Sequence, residues 1–483
     1  MNLLLLGPEL VLIGLGLSLL MADLVVPPER RRFLGGAAAV VAVALGLYVL
    51  RVPGLGAEPA YAFGGRFVVD GLSAFFKSIF LTAGALVLVL AMDWAKAQHQ
   101  AVTEYFVLIL FALAGMMMAA SANDFTVMYV ALELVTVTFY VLTSYQRNRV
   151  ASLEAGVKYL ILGALSSAFL VYGIALCYGS AGTMHFSEIA AKSAALADHR
   201  LFQLGMLMVF GGLAFKVALF PFQVWAPDVY EGSPAPTTAF LAIGSKGAGV
   251  VLLVRLFGNV VPELALKWEP LLMGVAGISI LYGSLCAIPQ RSLKRLLGYS
   301  SIANGGFVLI GVAAASKAGS AAVLFYLAGY LFTVLAAFLV VSIVVQRLET
   351  DDISALAGLH RRAPLLAAAL AFSMVSLAGV PPLAGFFGKF LVLKALVDQG
   401  ASFPAWYFLA GVALVGVVIS FWYYFGVVRA LYWPEAAGDF SVVPVPPMMQ
   451  VALAVCVLGI LMLGIFPGTV WEAAVAAVAG LRL

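Results

Sequence analysis

A few charged residues lie inside long apolar segments of this sequence, and they define the chemistry to consider. Glu133 lies in VMYVALELVTVTFYVL. The basic members of the set lie in other apolar segments and are Lys77, Lys158, Lys216, Lys246, Arg255, Lys389 and Lys394. A charge at the centre of a bilayer costs at least about 2.5–3.5 kcal/mol. Such residues therefore pair with one another, face water or protein, or become neutral.

Buried lysines of this kind can bind and release protons near neutral pH. Desolvation favours the neutral form of a lysine, whereas a nearby carboxylate favours the charged form. A Glu–Lys pair with adjustable separation can therefore act as a proton switch. The sequence favours Glu133 and Lys216 as that pair, with Lys246 and Lys389 as further deeply placed lysines.

Several of the charges have a simpler interpretation as membrane anchors. A lysine near a helix end can extend its ammonium group to the membrane surface. This interpretation is favoured for Lys77 and Lys394, and Arg255, which precedes a helix end, is also interpreted as an anchor. Lys158 lies near the start of its apolar segment, and both interpretations stay open for it.

The residue pattern does not favour a metal or redox centre. Cys177, Cys286 and Cys456 are isolated and form no CxxC pair, so neither a zinc nor an iron–sulfur framework is indicated. The four histidines show no metal-ligand spacing. No phosphate-binding or dinucleotide-binding motif occurs. The sequence therefore predicts no metal site, no cofactor-binding site and no catalytic redox site in this chain.

The composition indicates which elements position these charges. Of 483 residues, 64% are apolar and 10% are charged, and the mean hydropathy is +1.07. Since each membrane helix needs about 20 mostly apolar residues, the sequence predicts an all-α polytopic membrane protein of about fourteen transmembrane helices. The predicted spans are 2–23, 33–50, 70–92, 103–121, 124–143, 153–178, 201–220, 234–258, 270–288, 296–315, 319–346, 364–398, 406–432 and 450–468.

Prolines interrupt two of the predicted spans. Pro221 breaks the seventh span, and Pro381 and Pro382 break the twelfth, because proline removes a backbone donor and disrupts the preceding turn. Paired interruptions in two halves of a chain point to a transport site. Spans 4–8 and 9–13 are therefore predicted to be two five-helix repeats, inverted because each contains an odd number of spans.

The chain is predicted to be a single membrane domain, residues 1–483, without a soluble domain. Its predicted parts are three N-terminal helices (1–100), the first repeat (101–260), the second repeat (261–433) and a C-terminal helix (434–483). Lysines and arginines concentrate in cytoplasmic loops. The basic residues of the loops, among them Arg31, Arg147 and Arg361, favour an orientation with both termini on the periplasmic side.

Four sequence segments resemble a known family. FKVALFPFQVWAPDVYEGSPAPTTAFLAIGSKGAG, residues 215–249, is similar to the signature of the antiporter-like membrane subunits of respiratory complex I, which include the subunit N family of bacterial NADH:quinone oxidoreductase. NDFTVMYVALEL, RSLKRLLGYSSIANGGF and LAGVPPLAGFFGKF support the resemblance. Length and predicted helix count fit this family over nearly the whole chain.

The resemblance implies a central hydrophilic axis across the membrane domain. Glu133, Lys216, Lys246 and Lys389 match residues that carry protons in this family, and Lys158 matches a lysine that modulates the Glu–Lys pair. Quinone reduction elsewhere in the complex drives the proton movement. NADH, FMN, iron–sulfur clusters and quinone are therefore expected in other subunits. The expected partners are other membrane-arm subunits in the bacterial inner membrane, with no nucleic acid.

Two positions depart from the family pattern. Many relatives carry histidine where this chain has Gln223, which cannot take up a proton. The tenth span holds Asn304 and no acid, so an acidic partner for Lys389 would have to come from another helix or a neighbouring subunit. Gln223 and Asn304 are kept as possible relay positions. No long lateral helix is predicted after the last span.

Two alternatives to a complex I subunit remain open. A subunit of a multisubunit Na⁺/H⁺ antiporter or of a membrane-bound hydrogenase would share the fold and the buried lysines. A structural scaffold subunit would use the same charges only to stabilise helix contacts.

Overall fold

The computed structural model describes residues 3–51, 58–98, 101–400, 403–433 and 442–483. Its α-helices are α1 (Gly7–Asp23), α2 (Arg32–Arg51), α3 (Gly71–Trp94), α4 (Val102–Ala120), α5 (Phe125–Thr143), α6 (Val150–Ala181), α7 (Phe186–Ala191), α8 (Ser193–Leu196), α9 (Arg200–Val217), α10 (Trp225–Gly232), α11 (Ala235–Phe240), α12 (Lys246–Arg255), α13 (Pro262–Lys267), α14 (Glu269–Ala287), α15 (Leu293–Ala313), α16 (Lys317–Leu348), α17 (Leu359–Arg362), α18 (Pro364–Ala378), α19 (Ala384–Gln399), α20 (Ala405–Tyr432), α21 (Pro447–Ile465) and α22 (Gly468–Val478).

Shorter elements connect these helices. The 3₁₀ turns are Leu3–Leu6, Pro28–Arg30, Phe63–Gly65, Ala95–Ala97 and Ile353–Leu356, and the π-helical turns are Leu241–Ser245 and Leu256–Val260. A two-stranded antiparallel hairpin pairs β1 (Ala60–Ala62) with β2 (Phe67–Val69). This hairpin and α22 are not among the elements predicted from sequence. The described residues are otherwise mainly helical, as predicted.

The described residues contain 13 helices that are long and apolar enough to cross a membrane. A further apolar region, α18 followed by α19, is divided into two half-length helices and corresponds to the predicted twelfth span. The prediction of a polytopic membrane protein with about fourteen spans is therefore confirmed. The observed ends differ from the predicted ones by a few residues, most clearly in α6, which extends beyond both predicted ends.

Both predicted helix breaks are present. α9 ends at Val217, ahead of Pro221, and α10 begins only at Trp225. α18 ends at Ala378, and Gly379 follows with φ +88°, a left-handed conformation that glycine adopts at low cost. Pro381 and Pro382 have no amide hydrogen and cannot extend α18, so α19 begins a new helix at Ala384.

Burial separates central helices from peripheral ones. The segment Ala235–Val260, α15 and α16 are buried over most of their length, whereas α1, α2 and α20 expose large apolar faces. In a bilayer those exposed apolar faces contact lipid or neighbouring protein at no hydrophobic cost. The central helices carry the polar side chains of the candidate site. The division into inverted repeats stays a prediction.

Candidate functional site

Lys246 is buried in the interior of the molecule. It begins α12, directly after the π-helical turn Leu241–Ser245, and only 3% of it is exposed. π-Helical turns inside helices occur frequently at functional sites. Its ammonium group donates a 2.6 Å hydrogen bond to the hydroxyl of Ser301 and another to the Ser301 carbonyl, and it lies 5.9 Å from the ring centre of Tyr330. Among the described residues, no carboxylate lies within 4 Å of it.

Lys216 and Glu133, the predicted switch pair, do not form a direct ion pair. Lys216 is buried in the last turn of α9 and donates a hydrogen bond to the hydroxyl of Thr136 on α5. Glu133 lies three residues before Thr136, on the same side of α5. Its carboxylate accepts a 2.6 Å hydrogen bond from Ser167 of α6. The structure therefore shows the separated arrangement, in which each charge has a neutral hydrogen-bond partner.

Lys389 lies at the break between α18 and α19. Its ammonium group donates a 2.7 Å hydrogen bond to the carbonyl of Leu377 and a weaker one, at 3.4 Å, to that of Ala378. The last carbonyls of a helix have no partner within the helix and carry partial negative charge, so they stabilise a cation there. Within the described residues, backbone carbonyls therefore take the place of an acidic partner for Lys389, and a partner on a neighbouring subunit stays a prediction.

Hydrogen-bonded polar side chains extend along α15 towards Lys389 from Ser300, the residue before the Lys246 contact Ser301. Tyr424 of α20 hydrogen-bonds Ser300, and Asn304 donates to the Ser300 hydroxyl over 3.2 Å. Tyr326 donates to the amide oxygen of Asn304 over 2.7 Å. Asn304 and Tyr326 then line a small cavity together with Lys389. Asn304, predicted as a relay position, is thus part of a polar chain between two lysines.

The tyrosines near Lys246 and Lys389 were not predicted as site residues from the sequence. Tyr326, Tyr330 and Tyr424 lie in apolar segments and are buried. A buried tyrosine hydroxyl normally finds a hydrogen-bond partner, so tyrosines near the middle of predicted spans are a usable signal. Their partners lie on other helices, and the sequence does not reveal those pairings.

Two further predicted site residues, Gln223 and Lys158, have surroundings unlike those of Lys216, Lys246 and Lys389. Gln223 is buried in the break after α9, and its amide oxygen has no hydrogen-bond partner in the described part of the chain. Lys158 is 41% exposed and binds Asp228 and Glu154, each at 2.7 Å. The structure therefore brings Lys158 to a charged surface rather than to Glu133.

The anchor interpretation is wrong for Lys77 and Arg255. Lys77 is buried and lies 2.8 Å from the carboxylate of Glu9, which is fully buried in α1 and was missed by the sequence reasoning. Arg255 is buried and binds Asp70 through two hydrogen bonds of 2.8 and 3.0 Å. Lys394, 61% exposed and 3.1 Å from Asp398, fits the anchor interpretation.

The pKa of Asp70, the residue just before α3, is shifted by its contact with Arg255. Burial by itself raises the pKa of this carboxyl group, but the Arg255 guanidinium and the Ser73 amide more than offset that effect, and the pKa is lowered overall. Asp70 also caps α3 by accepting from the amide of Ser73 over 2.8 Å. The Arg255–Asp70 pair therefore joins two helix ends as a charged contact at neutral pH.

Lys294 is a further buried lysine, although it falls between the predicted spans 270–288 and 296–315 and was therefore expected in a loop. It is the second residue of α15, only 3% exposed, and it donates a 2.8 Å hydrogen bond to the carbonyl of Ser233. Its neighbours Arg291 and Arg295 made the segment resemble a cytoplasmic loop, whereas the helix begins at Leu293.

Comparison with known proteins identifies the class to which this arrangement belongs. Residues 122–420 match the family model described as NADH:quinone oxidoreductase/Mrp antiporter, transmembrane. This match covers more than half of the chain and includes all of the predicted proton-carrying residues. The chain belongs to this family of membrane subunits.

Curated relatives show which kind of subunit within the family this chain is similar to. NADH-quinone oxidoreductase subunit N from Rhodospirillum rubrum is 41% identical over 436 residues, covering 89% of this chain and 87% of that protein. Subunit N from Moorella thermoacetica is 38% identical and covers 96% of each chain.

Solved structures share the fold. A chain of respiratory complex I from Thermus thermophilus has a TM-score of 0.81 and 32% identity, covering 97% of this chain and 99% of that one. A chain of the Mrp complex from Dietzia has a TM-score of 0.84 at 21% identity, covering 100% and 98%. The second likeness is one of fold alone.

Proposed function

We propose that this chain is a proton-translocating membrane-arm subunit of respiratory complex I, NADH:quinone oxidoreductase. The observation that carries the proposal is the row of buried lysines, Lys216, Lys246 and Lys389, whose ammonium groups contact hydroxyl and carbonyl oxygens instead of carboxylates. The relatives named subunit N support assignment to complex I over other members of the family.

The neutral surroundings of these lysines suit proton transfer. A buried lysine in a direct ion pair cannot release its proton without leaving an unpaired carboxylate, which costs several kcal/mol. A lysine bound to hydroxyl or carbonyl oxygens leaves neutral groups behind. Approach of Glu133 to Lys216 would stabilise the ammonium form, and separation would release the proton towards Lys246. Hydroxyls of Ser301, Ser300 and Tyr326 would carry it onward to Lys389.

The chain performs no redox chemistry in this proposal. Quinone reduction occurs elsewhere in the complex, where other subunits hold NADH, FMN, the iron–sulfur clusters and quinone. This chain is the translocase part of the enzyme, assembled with neighbouring antiporter-like and small membrane subunits. It lies in the bacterial inner membrane, with both termini on the periplasmic side, as its loop arginines favour.

Substitution of Lys246 tests the proposal. In assembled complex, Lys246→Ala should lower proton pumping coupled to NADH oxidation, because the central lysine can no longer accept a proton. The measurement is the proton-to-electron ratio in sealed vesicles, with Lys394→Ala as the matched control at an exposed lysine. An unchanged proton-to-electron ratio together with unchanged turnover would contradict the proposal.

A second candidate function is a subunit of a multisubunit Na⁺/H⁺ antiporter or a membrane-bound hydrogenase, because the fold is shared with a chain of the Mrp complex. The neighbouring genes discriminate: genes for an NADH-oxidising arm support complex I. The scaffold alternative predicts that neutralising Glu133 or Lys216 impairs assembly but leaves pumping unchanged in the complex that remains.

A further inference from the structure

A charged cavity of about 620 Å³ opens between the first turns of α6 and α15 and the end of α16. Its walls carry ion pairs that link three segments of the chain. Asp228 of α10 binds Lys158 of α6 and Arg295 of α15, each at 2.7 Å, and Arg295 also binds Glu231 at 2.7 Å. These side chains are partly exposed, so the cavity is a polar recess that admits water.

Lys294 also lines this cavity and differs from the other charged residues there. It is almost fully buried, whereas Arg295, the next residue, has a side chain that is 32% exposed. The one contact of its ammonium group that the structure defines is with the carbonyl of Ser233. Within the described ranges, no carboxylate lies closer than 4 Å to that ammonium group. Its hydrogen-bond partner is neutral, as for Lys246 and Lys389, although Glu231 and Asp351 also line the cavity beside Lys294.

The face of α15 that carries Lys294 leads from the cavity to Lys246. Ser301 lies seven residues after Lys294, about two turns or 10 Å along the same face of the helix. Between them, Gly298 packs against α10 so closely that a Cβ at this position would lie 3.0 Å from the Cα of Pro227 and 3.3 Å from the Cβ of Tyr230.

The far end of this face contacts the central lysine. Tyr230 hydrogen-bonds the Ser301 hydroxyl at 3.0 Å, and Ser301 in turn accepts from Lys246 at 2.6 Å. Lys294, which borders the cavity, thus lies on the same face of α15 as Ser301, whose hydroxyl contacts both Tyr230 and Lys246.

We propose that Lys294 relays protons between this cavity and Lys246, an inference that rests on the proposed function. In the step, the ammonium group of Lys294 gives up one proton, and the neutral amine then takes one from hydronium in the cavity, which leaves a neutral water molecule. The released proton passes through water and the hydroxyls of Tyr230 and Ser301, each of which accepts one proton and gives one up. The neutral amine of Lys246 receives it.

Two substitutions separate a relay from a structural role. Lys294→Arg keeps a cation and a hydrogen-bond donor for the Ser233 carbonyl, but arginine does not release its proton in proteins. Lys294→Gln keeps a neutral donor at the same place and is the gentler change for folding. A structural role predicts that at least one of them retains coupled pumping, because the contact with Ser233 survives. A relay predicts that neither does.

The experiment measures NADH-driven proton pumping and NADH:quinone turnover of the whole complex in sealed vesicles, normalised to assembled complex on native gels. We expect both Lys294 variants to lose coupled pumping by about a hundredfold or more, the scale of a lost proton-transfer group. Lys394→Gln, at an exposed lysine paired with Asp398, is the matched control and should pump as the unsubstituted complex does.

Each outcome decides between the two proposals. Pumping retained by either Lys294 variant, while Lys246→Ala loses it, overturns the relay and leaves the proposed function intact. Pumping retained by Lys246→Ala as well overturns the proposed function itself. If Lys294→Arg fails to assemble, the result with Lys294→Gln decides alone, and normal pumping there overturns the relay.

Discussion

The three N-terminal helices and the central axis both bury charges, but they treat them in opposite ways. Lys77 of α3 lies against Glu9, and Arg255 binds Asp70, the residue that caps α3. The axis lysines, Lys216, Lys246 and Lys389, instead contact hydroxyl and carbonyl oxygens. A direct ion pair holds both charges in place, whereas neutral oxygens allow the charge of a lysine to change.

This difference distinguishes the charges held in ion pairs from the lysines proposed to carry protons more clearly than depth in a span does. Lys77 and Lys246 are equally buried, at 3% exposure each. Breaking a buried pair by removing one partner costs about 3–5 kcal/mol, because the other charge remains without compensation. Removing a lysine that contacts only neutral oxygens leaves no such charge. Substitutions in the two regions should therefore fail in different ways.

The largest expected effect is on stability and follows from Lys77→Met. This change leaves the Glu9 carboxylate buried without a cation, at a cost of about 3–5 kcal/mol. We expect a lower thermal unfolding temperature and less assembled complex. The double variant Glu9→Gln/Lys77→Met should recover most of the loss, because it removes both charges. Equal instability of the single and double variants would contradict a direct pair.

The Arg255–Asp70 contact should make stability depend on pH. The pKa of Asp70 is lowered in the folded chain, so its contribution is fully present above the unfolded-state value of about 3.9 and is lost as pH falls through the folded value. Asp70→Asn should be less stable than the unsubstituted chain near pH 7, by about 1.5–3 kcal/mol for a charged hydrogen bond. The measurement is the unfolding temperature of both proteins between pH 7 and about pH 4. The prediction requires the difference between the two temperatures to disappear below about pH 4.

On the axis, Lys389→Met should reduce pumping while the complex still assembles. Since no carboxylate among the described residues contacts Lys389, the substitution leaves no unpaired acid, and the carbonyls of Leu377 and Ala378 stay at a helix end. We expect coupled pumping to fall about tenfold, which corresponds to about 1.4 kcal/mol. Proton pumping per assembled complex is the measurement, and loss of assembly in place of pumping would place Lys389 with the structural charges.

The smallest expected effect comes from Tyr326→Phe. The substitution removes one hydrogen bond to Asn304 and keeps the ring, so stability should change by about 0.5–1.5 kcal/mol. If the hydroxyl carries protons between Asn304 and Lys389, pumping should fall while the unfolding temperature changes little. A variant with normal pumping would show that the path to Lys389 does not need this hydroxyl.

The apolar pattern of the sequence was sufficient to predict the membrane-spanning helices and the two helix breaks, but not α22. Pro221, Pro381 and Pro382 marked both interruptions, and the deep lysines stood out because a charge in an apolar run is costly. Whether each charge forms an ion pair or contacts neutral oxygens was not predictable, because its partner is distant in sequence. Arg255 and Asp70 are 185 residues apart, and no local pattern connects them.

The same reason explains the other errors. Glu9 in the first helix lies near the chain start and was not counted among the buried acids, although it neutralises Lys77. Lys294 lies near Arg291 and Arg295, a basic cluster typical of a loop. It nevertheless lies in the first turn of α15, where it is buried and donates to the Ser233 carbonyl. The half-helix carbonyls that bind Lys389 are backbone groups and leave no mark in the sequence beyond the prolines that free them.

The most direct test compares one variant from each region in the same vesicles. The proton-to-electron ratio would be measured for assembled complex carrying Lys246→Ala and for assembled complex carrying Glu9→Gln/Lys77→Met. The account predicts a lowered ratio for Lys246→Ala and an unchanged ratio for the double variant. A normal ratio with Lys246→Ala, or an equal fall in both, would contradict the claim that protons move along the lysines with neutral partners.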